Sequence, residues 1–392
     1  MSAGYAERLK EYPNKGKCGL PENYDTSRSL SSKISTLAQL MTESSYTVVL
    51  TGAGISTSAG IPDFRGPNGI WTREQQRLKL LSKNKKRKRG GAAEGDRDDR
   101  DGDSLEQLQQ QKNDRGNKQQ SVNQGSSPSF VTAKPALTHR ALAHLVTTNP
   151  KNNNNRNNSS HHLLQHIITQ NIDGLHGKTP LPRSQLSILH GDIFTEKCPL
   201  CHTEYIRNYE ISTIGLQPTG RHCTNLICGD PPGSSCHGAL IDTLLDWEDA
   251  LPEVDWEKSQ VECAKAELIL CLGTSLRIEP AGGLCQLGTL SGYLDAGADE
   301  WDLNDDTGSG DGGDDAKKKK TKKKKGRKRQ QRSQPKKLGY VIVNLQETPY
   351  DDNATLVIRA KVDDVMERLM SKLGYGSDWD SIDYNVGVEE HE

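Results

Sequence analysis

The sequence predicts an α/β fold on an open parallel sheet, with a small cysteine-rich module set into it and several polar insertions. Two observations carry this expectation. Short apolar strands recur along the chain, and each runs into glycine or polar residues. An open parallel sheet with one ligand crevice at the carboxyl ends of its strands requires that arrangement. In addition, Cys198-Pro-Leu-Cys201 is followed by Cys223, Cys228 and Cys236 in a Gly/Pro/Ser-rich stretch, and paired cysteines of this kind bring four soft ligands around a tetrahedral metal.

Taken in order, residues 46–50 lead to Gly52, Ala53 and Gly54, and residues 163–168 lead to Thr169, Gln170, Asn171, Ile172 and Asp173. Residues 187–189 run into His190 and Gly191, residues 268–272 into Gly273, Thr274 and Ser275, and residues 340–343 into Asn344, Leu345 and Gln346. This repetition is that of a Rossmann-like sheet. Helices fit between the strands. Val362, Val365, Met366, Leu369, Met370 and Leu373 recur at helical spacing, and Gly374 suits a C-terminal cap. The methionines of that helix read as core filler.

The first loop is the most specific. Thr51-Gly-Ala-Gly-Ile-Ser56-Thr57 follows a strand and opens in glycines that let backbone N–H groups approach a phosphate closely. A dinucleotide fingerprint would place a third glycine where Thr57 stands. That excludes the ordinary dehydrogenase loop and speaks against an NAD oxidoreductase, and no hydride-transfer partner is evident. The loop continues as Gly60-Ile-Pro-Asp63-Phe64-Arg65-Gly66 and closes at Trp71. Arg65 offers a planar fork suited to a pyrophosphate, and Asp63 is also readable as a turn residue. For Asp173 a role in bonding backbone amides stands beside a role in the site.

Composition bounds the rest. At 392 residues, with 26% of them charged and a mean hydropathy of -0.76, the folded part is expected to be shorter than the chain. The net charge of -1 sums strongly acidic and strongly basic blocks, so local charge decides what the protein meets. No apolar stretch approaches the roughly 18 residues of a membrane span, and no signal-peptide core is present. A soluble, intracellular protein without membrane contact is expected. There the nine cysteines read as thiols and metal ligands. Cys263, Cys271 and Cys285 lie in apolar or glycine-rich surroundings and read as core residues. His202, His222 and His237 read as surface residues of the cysteine module.

The domain plan assigns residues 1–77, 128–195, 239–290 and 338–375 to the sheet domain and 196–238 to the metal module. Residues 78–127 (basic and polar), 149–160 (mostly asparagine) and 291–337 (acidic, then Lys-rich) are expected to be disordered insertions, and 376–392 an acidic tail. The basic runs at 83–89 and 317–329 suit nuclear targeting, or salt-dependent contact with DNA or a nucleosome, or plain solvation. No aromatic residue is interleaved with them, so base stacking is not supported.

Among the later cysteines, spacing alone leaves open which two complete the zinc site, since Cys223 and Cys228 are themselves acceptably spaced. No nucleophile elbow, no cysteine beside a base and no metal-water signature marks the crevice, so the chemistry must use a cofactor. His190 at a strand end has the residue type for a proton relay near neutral pH.

Together the Gly52-to-Ser56 loop, the Gly60-to-Arg65 run, Thr169 to Asp173, His190-Gly191, the cysteine module, Gly273 to Ser275 and Val343 to Gln346 resemble the sirtuins, NAD-dependent protein deacylases. Residues 15–22, 67–71 and 242–249 make the chain most similar to the class IV, sirtuin-6 type. The resemblance covers most of residues 1–375 outside the insertions, whereas the segment after Gly374 is short and acidic, unlike the longer basic tail common in that branch. It implies a Rossmann-like NAD domain with one structural zinc ion. Ala53, Thr57, Phe64, Arg65 and Trp71 then contact NAD from the cofactor loop, and Gln170 faces the nicotinamide ribose. Asn171 and Asp173 shape the catalytic nicotinamide pocket. Gly273, Ser275, Asn344, Gln346 and Val362 serve the phosphate, ribose and adenine side, and His190 is the general base. The resemblance places the last zinc ligand just before a glycine-containing return to the large domain, which selects Cys198, Cys201, Cys223 and Cys236. Residues 245–249 border the cleft for an extended substrate peptide. The implied substrates are acylated lysines of histones or other chromatin proteins, with nicotinamide, O-acyl-ADP-ribose and free lysine as products. Mono-ADP-ribosyl transfer to protein and a catalytically weak chromatin scaffold are the alternative readings.

Overall fold

In a computed structural model, the described residues are 5, 8–10, 12, 15–90, 129–148, 162–226, 236–289 and 337–380. The expected insertions from 91 on, at 149–160 and at 291–336, Cys228, and the tail beyond 380 lie outside them.

Five strands of continuous or nearly continuous apolar sequence, and a sixth short one, form a parallel sheet. They are β1 (Thr47–Thr51), β2 (His166–Thr169), β3 (Leu186–Ile188), β8 (Leu268–Leu272), β9 (Gly339–Val343) and β10 (Leu356–Ile358). Their spatial order is β10-β9-β8-β1-β2-β3, and every pairing is parallel. Counted along the chain within this sheet, the order is 3-2-1-4-5-6, that of doubly wound nucleotide-binding folds. All residues of β1, β8 and β9 are buried because helices cover both faces, and so these strands read as unbroken apolar runs rather than alternating ones.

One face packs on α1 (Ser27–Glu43), α3 (Leu137–Thr147) and α5 (Val362–Lys372). Leu30, Ile34, Leu37 and Met41 form the buried stripe of α1, and its start is fixed by Thr26, whose hydroxyl accepts the Ser29 N–H at 3.3 Å. The helix α3 has no side-chain cap of its own; Asp363, in the first turn of α5, accepts the Thr138 N–H at 3.0 Å instead. Met366 and Met370 are fully buried in this core, and α5 ends at Gly374 in the left-handed region, φ 87°. The other face packs on α4 (Glu253–Lys265) and the 3-10 stretch Ala281–Thr289, and Cys263, Cys271 and Cys285 lie buried there.

The cysteine module is an antiparallel sheet in the order β5-β4-β7-β6, from β4 (Thr195–Lys197), β5 (Glu204–Ile206), β6 (Pro218–His222) and β7 (Ala239–Asp242). The carboxylate of Glu196 is fully buried and takes Arg207 Nε at 2.7 Å and Arg221 Nε at 2.7 Å.

Two boundaries differ from expectation. The helix α2 (Ile70–Gly90) does not stop at 77 but runs through the first residues of the expected insertion. From Gln76 to Lys83 its side chains are exposed all round, so the sequence there has no apolar stripe to betray a helix. Residues 376–380 are not a free tail either. Asp380 accepts Arg140 Nη2 of α3 at 2.7 Å.

Candidate active site at the sheet switch point

Chain connections diverge between β1 and β8, and the loops after these neighbouring strands bound a cavity of about 560 Å³. Gly52 donates its N–H to Leu272 O at 3.0 Å and Gly54 to Gly273 O at 2.8 Å. A Cβ at position 52 would lie 2.7 Å from Thr274 Cα, and one at position 54 would lie 2.8 Å from Gly273 Cα. These two glycines are therefore demanded by loop-to-loop contact. Their own N–H groups are spent on protein carbonyls, so any backbone donor for a phosphate must come from a neighbouring residue of the loop.

The loop then folds through two short 3-10 turns, Ala53–Ile55 and Thr57–Ala59, into an aromatic wall. Phe64 and Trp71 rings are 4.7 Å apart, Trp71 and Trp247 5.0 Å, and Tyr12 stacks on Trp247 at 4.8 Å. Arg65 is buried with its guanidinium over Trp71, 4.5 Å from the ring. Its Nε donates to Lys15 O at 3.0 Å, and no carboxylate among the described residues pairs with it. Burial, with Arg277 nearby, pulls its pKa down to about 10. The Trp71 indole N–H is also buried without a partner. A cationic fork and an orphan donor in one cavity wall suit an acceptor-rich, anionic ligand.

Polar residues after β2 form the floor. Gln170 Nε2 donates to Thr274 Oγ1 at 3.1 Å. Asn171 Nδ2 donates to Gly52 O at 3.1 Å and Ser56 Oγ at 3.2 Å, which commits both amide hydrogens and leaves Oδ1 as its remaining polar atom. Ser56 Oγ in turn donates to Asp173 Oδ2 at 2.6 Å, while Asp173 Oδ1 accepts the Leu175 N–H at 3.0 Å. Asp173 therefore acts beneath the wall, through Ser56.

The structure brings Ala53, Phe64, Arg65, Trp71, Gln170, Asn171, His190, Gly273, Ser275, Asn344 and Gln346 to the cavity. Thr57, Asp173 and Val362 do not line it: Thr57 is exposed, Asp173 lies behind Ser56, and Val362 belongs to the core of α5. Sequence reading missed Ser56, Thr274 and the N-terminal residues Tyr5 and Leu9, which line or support the cavity. Ser56 had a signal, its place inside the glycine loop. Tyr5 and Leu9 had none, because their partners lie far along the chain; the Tyr5 hydroxyl donates to Leu245 O at 3.2 Å.

In the module, one thiol each from Cys198, Cys201, Cys223 and Cys236 lie within 4.8 Å of one another. Cys198 and Cys236 Sγ are 3.7 Å apart, Cys201 and Cys223 Sγ 3.5 Å, close to the edge of a tetrahedron with metal–sulfur bonds of about 2.3 Å. The residues after two of these cysteines, His202 (φ 60°) and His237 (φ 52°), take the left-handed conformation that turns the chain back. Both are exposed, as is His222. Four thiols at this spacing, with no histidine or carboxylate among them, fit structural zinc.

Residues 52–94 and 103–280 match the model of the Sir2 family. The chain belongs to the Sir2 family. This Sir2 chain is 36% identical over 373 residues to the NAD-dependent protein deacetylase SRT1 of Arabidopsis thaliana, covering 95% of itself and 56% of that relative. It is 32% identical to the NAD-dependent protein deacetylase Sirt6 of Drosophila melanogaster, covering 95% of itself and 86% of that relative. With the sirtuin-7 of Bos taurus it shares 30%, over 89% of itself and 62% of that relative. The chain thus spans about half the length of the plant relatives.

In this Sir2 chain His190 follows β3 and is only partly exposed, toward the cavity. Its Nδ1 lies 3.0 Å from Gln170 O. A carbonyl has no proton to give, so Nδ1 carries the hydrogen and Nε2 is the free base. Desolvation chiefly, and the field of Arg65, push its pKa below the ordinary 6.5, against the opposing effect of the Gln170 bond. Gly191 fixes the ring's place: its φ is 81°, and a Cβ there would lie 1.8 Å from Thr243 O. Gly191→Ala is expected to force residues 190–191 away from the strand end after β7. We expect turnover at this site to fall by about two orders of magnitude, the cost of misplacing a reacting group by roughly 1 Å. Wild-type kcat/KM in the alanine variant would contradict this.

Proposed function

We propose that this chain is an NAD-dependent protein-lysine deacylase that acts on acylated lysines of histones or other chromatin proteins in the nucleus. The observation that carries the proposal is the coexistence, in one cavity, of a neutral imidazole poised as a base and an unpaired buried guanidinium. The relatives' shared name as deacetylases supports it.

When bound, NAD would supply an electrophilic ribose carbon whose leaving group is nicotinamide. The residues present fit it: Arg65 and the Trp71 N–H would hold its acceptor atoms, and Asn344 and Gln346 border the far end of the cavity. The protein's own part is positional and acid-base. Asn171 is held in one amide orientation by Gly52 O and Ser56. His190 Nε2, the unprotonated ring nitrogen, would accept a proton from a hydroxyl of the bound nucleotide and return it as the lysine amine departs. The aromatic wall and the Tyr5–Leu245 contact supply the apolar lining beside the cavity's polar floor. Asp246 and Asp249 line the acceptor side of the cavity, which complements the basic character of histone tails. The Lys-rich runs at 83–89 and 317–329 support nuclear location and contact with nucleosomal phosphate. Cys198, Cys201, Cys223 and Cys236 would hold one zinc ion with a purely structural role.

Incubation with NAD and an acyl-lysine histone peptide tests the reading. Nicotinamide, free-lysine peptide and acyl-ADP-ribose should appear in equal amounts. NADH, or ADP-ribosylated protein without deacylated peptide, would overturn it.

A further inference from the structure

We propose that Arg183 is a positioning residue that fixes the acceptor side of the cavity by joining three separate elements; this rests on the deacylase reading for its kinetic test. Arg183 opens the 3-10 turn Arg183–Gln185, immediately before β3, the strand that delivers His190. Its Nε donates to Glu204 Oε2 at 3.0 Å and its Nη2 to Glu204 Oε1 at 3.1 Å, on β5 of the zinc module. The same Nη2 donates to Asp255 Oδ2 at 2.9 Å and Nη1 to Asp255 Oδ1 at 3.1 Å, in the first turn of α4. Nη1 also donates to Leu186 O at 2.7 Å, at the head of β3.

These contacts use all five N–H groups of the guanidinium. Both carboxylates are gripped in the bidentate manner that adds direction as well as strength. A lysine could reach one or two of these acceptors but could not span them. The turn is latched to α4 a second time by Lys258, whose ammonium donates to Ser184 O.

Exposed ion pairs usually contribute little, and the Arg183 side chain is 43% exposed. Its importance therefore does not lie in stability. Asp255 is buried, only 12% of its side chain reaching solvent, and the elements joined are the ones that bound the acceptor. The helix α4 carries Trp256 on the cavity wall, the residues just before it include Trp247 and Asp249 of the same wall, and β3 ends at Ile188, two residues before His190. The fork thus ties the zinc module and α4 to the head of β3 on the side of the sheet away from the nucleotide loops. The nucleotide side, built from the loops after β1, β8 and β9, has no part in this contact.

The expected signature is a split. Arg183→Lys and Arg183→Gln, in the full zinc-loaded chain, should raise KM for an acyl-lysine peptide by about five- to tenfold while KM for NAD stays within twofold. Amide hydrogen exchange should quicken in Glu204–Ile206 and Glu253–Lys265 and not in Thr47–Thr51. A fall in melting temperature with both KM values unchanged would reduce Arg183 to a surface ion pair and overturn the proposal, as would both KM values rising together. If the unaltered protein releases no nicotinamide with peptide, the deacylase reading fails by itself. The exchange measurement then still decides: unchanged protection of β5 and α4 would refute the clamp.

Discussion

His190→Asn is expected to lower kcat for deacylation by about 10²–10⁴ without unfolding the protein. Asparagine is the informative choice because its amide nitrogen sits where Nδ1 does and can keep the bond to Gln170 O, seen at 3.0 Å. What it lacks is the second ring nitrogen. A loss of rate with unchanged melting temperature would isolate the base function from the structural one; retention of kcat within tenfold would move the base elsewhere. The pH profile adds an independent check. Burial lowers the His190 pKa below 6.5, and the neutral form is the active one, so activity is full above that value and falls as pH drops through the lowered pKa. The acid limb must therefore lie below pH 6.5. Stability follows the same sign: the unfolded chain binds the extra proton first, so folding free energy is lost as pH falls below the ordinary imidazole value. His139 and His176, whose pKa values are both pushed down to about 3 by burial, reinforce this loss. The acid limb must be measured on protein shown to be folded at each pH.

How much of this was legible in the sequence depends on whether a residue's partner is near it in the chain. The strands β1, β8 and β9 were readable within a residue because both their faces are buried and the apolar run is unbroken. Their polar ends mark one crevice. The strand β10 escaped, being three residues with only Ile358 fully buried. The strands of the zinc module escaped because a metal module needs little apolar patterning; β5 and β6 alternate between exposed and half-buried. The glycines at 52 and 54 marked the right loop, but the atoms that exclude a side chain there, on Gly273 and Thr274, were not readable. Residues 15–20 marked the branch of the family, but their place as a strap was not readable. The strap is tied down by Arg65, which receives the Gly19 N–H at 2.9 Å on its carbonyl, and by Gln346, which donates to Leu20 O at 2.7 Å. Arg359 accounts for the order around Gln346, donating to Asn344 O at 2.9 Å and Gln346 O at 2.8 Å. Long-range polar contacts of this kind leave no period in the sequence.

Cys236→Ser is expected to take zinc content from one ion per chain to nearly none, whereas Cys228→Ser should leave it unchanged. The first effect is large because the module has little else to hold it. Its buried apolar cluster consists of Cys198, Cys223 and Leu240, with Cys201, Tyr205 and Cys236 against it, so all four ligands' side chains are themselves the core or its edge. Structural zinc in small modules contributes apparent free energies of about 10–16 kcal/mol near neutral pH, far more than such a cluster can. Gly238 shows how closely the thiols are drawn in: a Cβ there would lie 2.7 Å from Cys198 Sγ. The Glu196–Arg207–Arg221 network would remain, yet a buried carboxylate between two arginines gives direction rather than net stability. Loss of the module should reach the active site by a short path. β7 continues into Thr243, whose carbonyl crowds Gly191, and the Leu245 N–H donates to His190 O at 3.3 Å. Deacylation should therefore fall at least tenfold along with the zinc. Thermal unfolding of the six-stranded sheet domain, which has its own two-sided core, should persist as a separate, later transition. Metal analysis and circular dichroism of both variants decide the matter: zinc retained by Cys236→Ser and lost by Cys228→Ser would make Cys228 the fourth ligand, and loss of both transitions together would show that the sheet domain depends on the module for its own folding.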